Sequence, residues 1–137
     1  MDQLMGTFNF DRNENFEAYL GTMGVPYLAK KMMSKTTPTI AIRREIDEWI
    51  IEIKTMVMNQ TIKFKLDQPF EDSFPMGGGS FQTTPKATGE AEITLFASTQ
   101  KGDVERTFRI LEDELVMHWK NRTKSVECKR YFKRSHK

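Results

Sequence analysis

The sequence predicts a mainly β fold, a barrel or sandwich of short antiparallel strands interrupted near its start by two helices. Three observations carry this. From Pro38 onward apolar residues alternate with polar ones instead of recurring at helical spacing. Turn signals divide the alternating runs: Gly77-Gly78-Gly79, Thr88-Gly89-Glu90, Lys101-Gly102-Asp103 and Glu112-Asp113-Glu114. The runs recur at roughly 8–12 residues, the spacing of an all-β sandwich or barrel, and roughly eight to ten strands fit the chain.

Taken in order, a short strand is expected near Met5 to Phe10. Asn13 and Asn15 then offer helix-capping oxygens, and Glu14 and Glu17 suit the positive end of a helix. Phe16, Tyr19, Leu20 and Met23 follow at helical spacing on one stripe. Gly24 can end that helix, and Pro26 can open a second at its first position. This second helix, about Pro26 to Ser34, turns Val25, Leu28, Ala29, Met32 and Met33 to one side and leaves Lys30, Lys31 and Lys35 for the other. The helical cap thus covers about residues 14–35. Beyond it Ile40 and Ile42 share a face, as do Trp49, Ile51 and Ile53. Gln60, Ile62, Phe64 and Leu66 repeat the pattern, then Ala91, Ile93, Leu95 and Ala97, then Leu115, Met117 and Trp119.

At 137 residues, 38% apolar and 29% charged, the chain reads as one folded domain spanning 1–137. A net charge of +2 is too mild to imply nucleic acid. The lone Cys128 excludes an internal disulfide framework and fits a reducing compartment. Met1 to Phe10 holds no apolar run of signal-peptide length, and no stretch approaches the roughly 18 apolar residues of a membrane span. A cytoplasmic protein is expected. Catalysis, cofactors and metal are not: His118 and His136 are the only histidines, and the glycine run lacks the residues of a phosphate loop. Glu71-Asp72 and Glu112-Asp113 sit beside turn signals and read as solvated loop charges.

Arg130 is the most informative residue. Val126, Cys128, Arg130 and Phe132 share one strand face, so one guanidinium interrupts an apolar row. A buried charge without a partner costs several kcal/mol, and a planar fork of donors suits a carboxylate. Arg106 and Arg109, on a strand of the same sheet, are possible companions; they point to opposite faces, and alternation alone does not choose between them. The basic run Lys129, Arg130, Lys133, Arg134 and Lys137 alternates faces and reads as a solvated edge, not a nucleic-acid surface.

These residues resemble the intracellular fatty-acid-binding and retinoid-binding proteins. Asn15-Phe16-Glu17-Ala18-Tyr19-Leu20 is similar to the family's Glu-Asn-Phe-Asp-x-Tyr, and Met23-Gly24-Val25 to its Leu-Gly-Val. Lys30-Lys31 falls on its basic helical pair, and Thr36-Thr37-Pro38-Thr39 resembles its Lys-Pro-Thr. Asn59 to Leu66 and Phe70-Glu71-Asp72 also resemble family segments, so the likeness runs from Gly6 to about Phe132. It implies a ten-stranded, antiparallel, flattened β-barrel capped by the helix-turn-helix. It also implies an intracellular carrier of a long-chain fatty acid or similar carboxylate, its headgroup held by an Arg…Arg-x-Tyr set. Carried over, the arginines are Arg109 and Arg130, and Phe132 occupies the tyrosine position. Phe16, Tyr19, Met23, Val25 and Val57 would line the ligand path, and Lys30, Lys31 and Lys35 would meet anionic membranes at the portal. Phe8, Val57 and Ile46 replace a family Trp, Phe and turn Gly. A monomer is expected. The alternatives are a membrane-surface module, or a filled barrel serving as a protein-interaction scaffold.

Overall fold

The computed structural model describes residues 1–56, 58–73 and 79–136. Val57 and the Gly77-Gly78 turn lie outside the described residues. After a short 3-10 turn, Asp2–Leu4, come β1 (Gly6–Glu14), α1 (Phe16–Thr22) and α2 (Tyr27–Ser34). Eight strands follow: β2 (Thr39–Glu45), β3 (Glu48–Lys54), β4 (Asn59–Lys65), β5 (Phe70–Ser73), β6 (Ser80–Gly89), β7 (Glu92–Thr99), β8 (Gly102–Leu111) and β9 (Glu114–Asn121), with β10 (Val126–Arg134) making nine.

Every strand pairs antiparallel with its chain neighbour except at one junction. The helices separate β1 from β2, which pair nonetheless, and β4 does not pair with β5. Pairing of β1 with β10 joins the two ends of the chain, so the ten strands form one sheet ordered β4-β3-β2-β1-β10-β9-β8-β7-β6-β5. The sheet curls until β4 and β5 face each other across a cleft of about 290 Å3 lined by both strands. Phe64 and Phe70 stack across it with ring centroids 5.8 Å apart. The result is a nearly closed ten-stranded antiparallel barrel with two helices, as expected.

Alternation decides what the barrel encloses. One cluster fills one end with Phe8, Trp49, Phe64, Phe108, Leu115 and Phe132. A second lies under the helices, where Phe16, Tyr19, Leu20 and Met23 of α1 meet Ala97, Val104 and Cys128. The α1 stripe is therefore a real buried face. The α2 stripe is not: no residue of α2 is buried, and Leu28 and Met32 are 75% and 63% exposed. Only Met33 and the preceding Val25 reach the second cluster.

Local chemistry also departs from expectation at the helix ends. Asn15 sits before α1 at φ 60°, yet its amide donates to Glu127 O instead of capping the helix. Gly24, at φ +78°, ends α1 as foreseen; Pro26 precedes α2 instead of opening it. The β2–β3 turn is built on Ile46 at φ 60°, a left-handed conformation that a β-branched residue rarely adopts.

Strand β10 is no solvated edge, since β1 and β9 flank it. Its Arg134 covers the Phe8 ring at 4.7 Å and donates to Asp113 and to the Met5 carbonyl, closing one end of the barrel. Among the described residues no helix is long and apolar enough to cross a membrane.

Candidate functional site

A β-bulge sets the site's geometry. Phe8 and Phe10 of β1 pair with Arg134 and Phe132, but the register slips at Asp11, so Arg12 pairs with Tyr131 and Asn13 with Arg130. The extra residue turns Arg12 outward, over the Tyr131 ring at 3.9 Å, and brings Asn13 inward. Asn13 Oδ1 then accepts from Arg130 Nε at 2.7 Å, while Arg130 also donates to the Thr36 carbonyl at 3.3 Å.

Three rings surround the same guanidinium. Its carbon lies 4.2 Å from the Phe16 centroid, 5.0 Å from Phe10 and 6.0 Å from Phe132. Arg130 is 6% exposed, and no carboxylate among the described residues forms an ion pair with it. Burial pushes its pKa down to about 10, because desolvation disfavours the charged form. Among the described residues, ring faces and neutral oxygens compensate this interior cation.

Arg106 is the second interior arginine. It shares the inward face of β8 with Val104, Phe108 and Ile110, and it is 4% exposed. Its NH2 donates to Asp72 Oδ2 in a buried ion pair. Thr83 completes a triangle, accepting from Arg106 at 3.4 Å and donating to Asp72 at 3.2 Å. Tyr19 lies close by; burial raises its phenol pKa and Arg106 pulls it the other way.

Arg109 does not join them. Three positions along β8 it faces outward, its Nε donating to Glu92 at 3.1 Å and its NH2 meeting His118 Nδ1 at 3.1 Å. The resemblance implies Arg109; on β8 it is Arg106 that lies on the inward face and Arg109 on the outward one. The reason is parity, since residues an odd number apart on a strand lie on opposite faces. Asp72, expected as a solvated loop charge, is instead inside β5 and turned into the barrel, while Glu71 stays exposed.

The structure thus brings together Arg130, Phe132, Phe16, Tyr19 and Met23, with Val25 at the margin. Lys30 and Lys31 are half-buried, Lys31 pairing with Glu17 of α1 at 2.9 Å, and Lys35 is exposed. Cys128 is buried among apolar groups, and its thiol is pushed up to about 12 by desolvation. Among the described residues no group of three or more His, Cys, Asp or Glu is placed to hold a metal.

No family model matches the chain. Individual proteins do. The intestinal fatty acid-binding protein of Xenopus laevis is 31% identical over 134 residues, covering 94% of this chain and 96% of that protein. The sodium/calcium exchanger regulatory protein 1 of Doryteuthis pealeii is 30% identical over 131 residues, 96% of each. Among solved structures, the REP1-NXSQ fatty acid transporter superposes with a TM-score of 0.91 at 25% identity, covering 100% of this chain and 99% of that one. Identity at this level across nearly the full length of both proteins, on one barrel topology, shows that the chain belongs to the fatty-acid-binding protein family.

Proposed function

We propose that this protein is a carrier that encloses a long-chain fatty acid, or a similar hydrophobic carboxylate, and delivers it to membranes. Arg130 carries the reading. It is a desolvated cation on an inward face, ringed by Phe10, Phe16 and Phe132, with no carboxylate of the described chain beside it. A ligand carboxylate supplies the missing charge through charge-assisted hydrogen bonds. The acyl tail supplies most of the affinity: about 0.8 kcal/mol per buried methylene gives roughly 12 kcal/mol gross for about fifteen. Lost ligand freedom then reduces that figure substantially. Relatives named as fatty acid-binding proteins and transporters support the same assignment, and support a binding protein over an enzyme.

Delivery falls to the cap. Tyr27, Leu28 and Met32 are exposed on α2 beside Lys30, Lys31 and Lys35, an arrangement suited to an anionic bilayer surface. In this reading the protein works as a cytoplasmic monomer, and its buried Cys128 is withdrawn from cross-linking. Titration of delipidated protein with a fluorescent long-chain acid tests the site. Arg130→Ala is expected to weaken the acid at least tenfold, since a hydrogen bond to a charged group is worth about 1.5–3 kcal/mol. The methyl ester of the same acid should lose far less. Equal losses for acid and ester would make Arg130 a structural residue and overturn the anchor.

A further inference from the structure

Both arginines lie on inward faces of the barrel but differ in charge balance. Among the described residues Arg130 lacks a carboxylate partner, whereas Arg106 has Asp72. A second ligand anion at Arg106 would meet the Asp72 carboxylate as well, and like charges at such distances repel strongly in a low dielectric. An uncharged oxygen would not.

Donors for such an oxygen are present. Asp72 and Thr83 engage only the NH2 of Arg106, and the buried Arg106 Nε has no hydrogen-bond partner among the described residues. The same holds for the buried indole Nε1 of Trp119. Arg106 and Trp119 are direct cross-strand partners in the β8–β9 ladder, and both belong to inward-facing rows. Buried donors are ordinarily satisfied, so two side by side mark a place where an acceptor belongs. Trp119 is held in position by edge-to-face contacts with Phe16 at 6.4 Å and Tyr19 at 5.9 Å. The indole is therefore not free to turn its N–H elsewhere.

Building on the carrier reading, we infer that the interior has two polar subsites: Arg130 takes the carboxylate, and the Arg106–Trp119 donor pair takes an uncharged oxygen further along the same molecule. The ligand class is a long-chain acid with a mid-chain hydroxyl or oxo group. Arg130 lies two residues along β10 from Cys128, the ladder partner of Trp119. Strand spacing and rise then put the Cα atoms of the two arginines about 12 Å apart. That separation places the second oxygen well away from the headgroup. A site built to hydrogen-bond an oxygen discriminates against the analogue lacking it, because its donors are otherwise left unpaired.

The test compares stearic acid with its mid-chain hydroxy and oxo derivatives, varied in position, on delipidated wild-type and Trp119→Phe protein. At one position the oxygenated acid should bind at least about fivefold tighter than stearic acid. Trp119→Phe keeps an aromatic ring but removes the donor, and should erase that preference, bringing the oxygenated acid and stearic acid to equal affinity. In 15N-labelled protein the Trp119 indole resonance, recognised by its absence in the variant, should move with the oxygenated acid and not with stearic acid. If the whole series binds alike and the indole resonance responds to none of it, the pair holds no more than water. The second subsite is then refuted, while Arg130-dependent binding of stearic acid leaves the carrier reading standing. If no acid binds at all, both fall.

Discussion

Replacing Asp72 with asparagine preserves the side chain's size and removes its charge, leaving Arg106 a desolvated cation without a counter-ion. The pair is enclosed, with side-chain exposures of 5% for Arg106 and 8% for Asp72. Removing one partner of such a pair costs about 3–5 kcal/mol, because the survivor stays charged and out of water. The lower end applies here: Thr83 Oγ1 still accepts from Arg106, and asparagine retains an oxygen. A loss of about 3 kcal/mol corresponds to roughly 10–15 °C in melting temperature for a domain of this length. Thermal unfolding of delipidated protein reads this directly, with and without a saturating long-chain acid. Ligand should raise the melting temperature more in Asp72→Asn than in wild type, since the Asp72 charge no longer opposes an anion in the interior. A dicarboxylic acid just long enough to span the two arginines should stabilise the variant most, because Asp72 no longer repels its second carboxylate. The double variant Asp72→Asn/Arg106→Gln should recover much of the loss, as the two residues act as a unit. An apo variant melting within about 3 °C of wild type would refute the buried-pair account, as would single losses that simply add in the double variant.

The fold was largely legible because most strands bury one face, and one buried face writes a period of two into the sequence. Leu115, Met117 and Trp119 on β9 are plain in that respect, and so is Arg130 between Cys128 and Phe132. The β8 row held its answer too. Val104, Phe108 and Ile110 make the parity of Arg106 apolar, whereas Arg109 belongs with Glu105 and Thr107. The resemblance implies Arg109 instead, whose side chain lies on the outer face. Other features had no local signature. Asp72 is buried by a partner on β8 and by Thr83 on β6, contacts that nothing in the neighbourhood of Glu71 announces. Asn13 reaches Arg130 only because a bulge at Asp11 reverses the parity of β1, and bulges leave little mark on composition. Periodicity in α2 showed that a stripe exists, not that anything covers it, and α2 leaves Leu28 and Met32 in solvent.

Two further outcomes follow from the surface. Changing Lys30, Lys31 and Lys35 to glutamate should slow ligand transfer to anionic vesicles while leaving affinity in solution intact, since each lysine near such a surface contributes about 1 kcal/mol. Wild-type transfer at equal rates to anionic and zwitterionic vesicles would refute this role for the cap. The other concerns His118, which sits on the outer face between Arg109 and Glu127, its Nε2 3.2 Å from the Glu127 carboxylate. Burial, first, and the Arg109 charge hold its pKa below the ordinary histidine value, and Glu127 only partly opposes them. The unfolded chain therefore binds this proton more readily than the folded one, so the stability it contributes is present at neutral pH and lost as pH falls through the ordinary histidine range. Urea midpoints should drop between about pH 7.5 and about pH 5.5 in wild type, a window in which the ordinary carboxylates stay ionised. The drop should be smaller in His118→Gln, which has no proton to gain. A wild-type midpoint that rises on acidification would show that Glu127 outweighs burial and Arg109, reversing the sign; an equal drop in the variant would assign the dependence to another group.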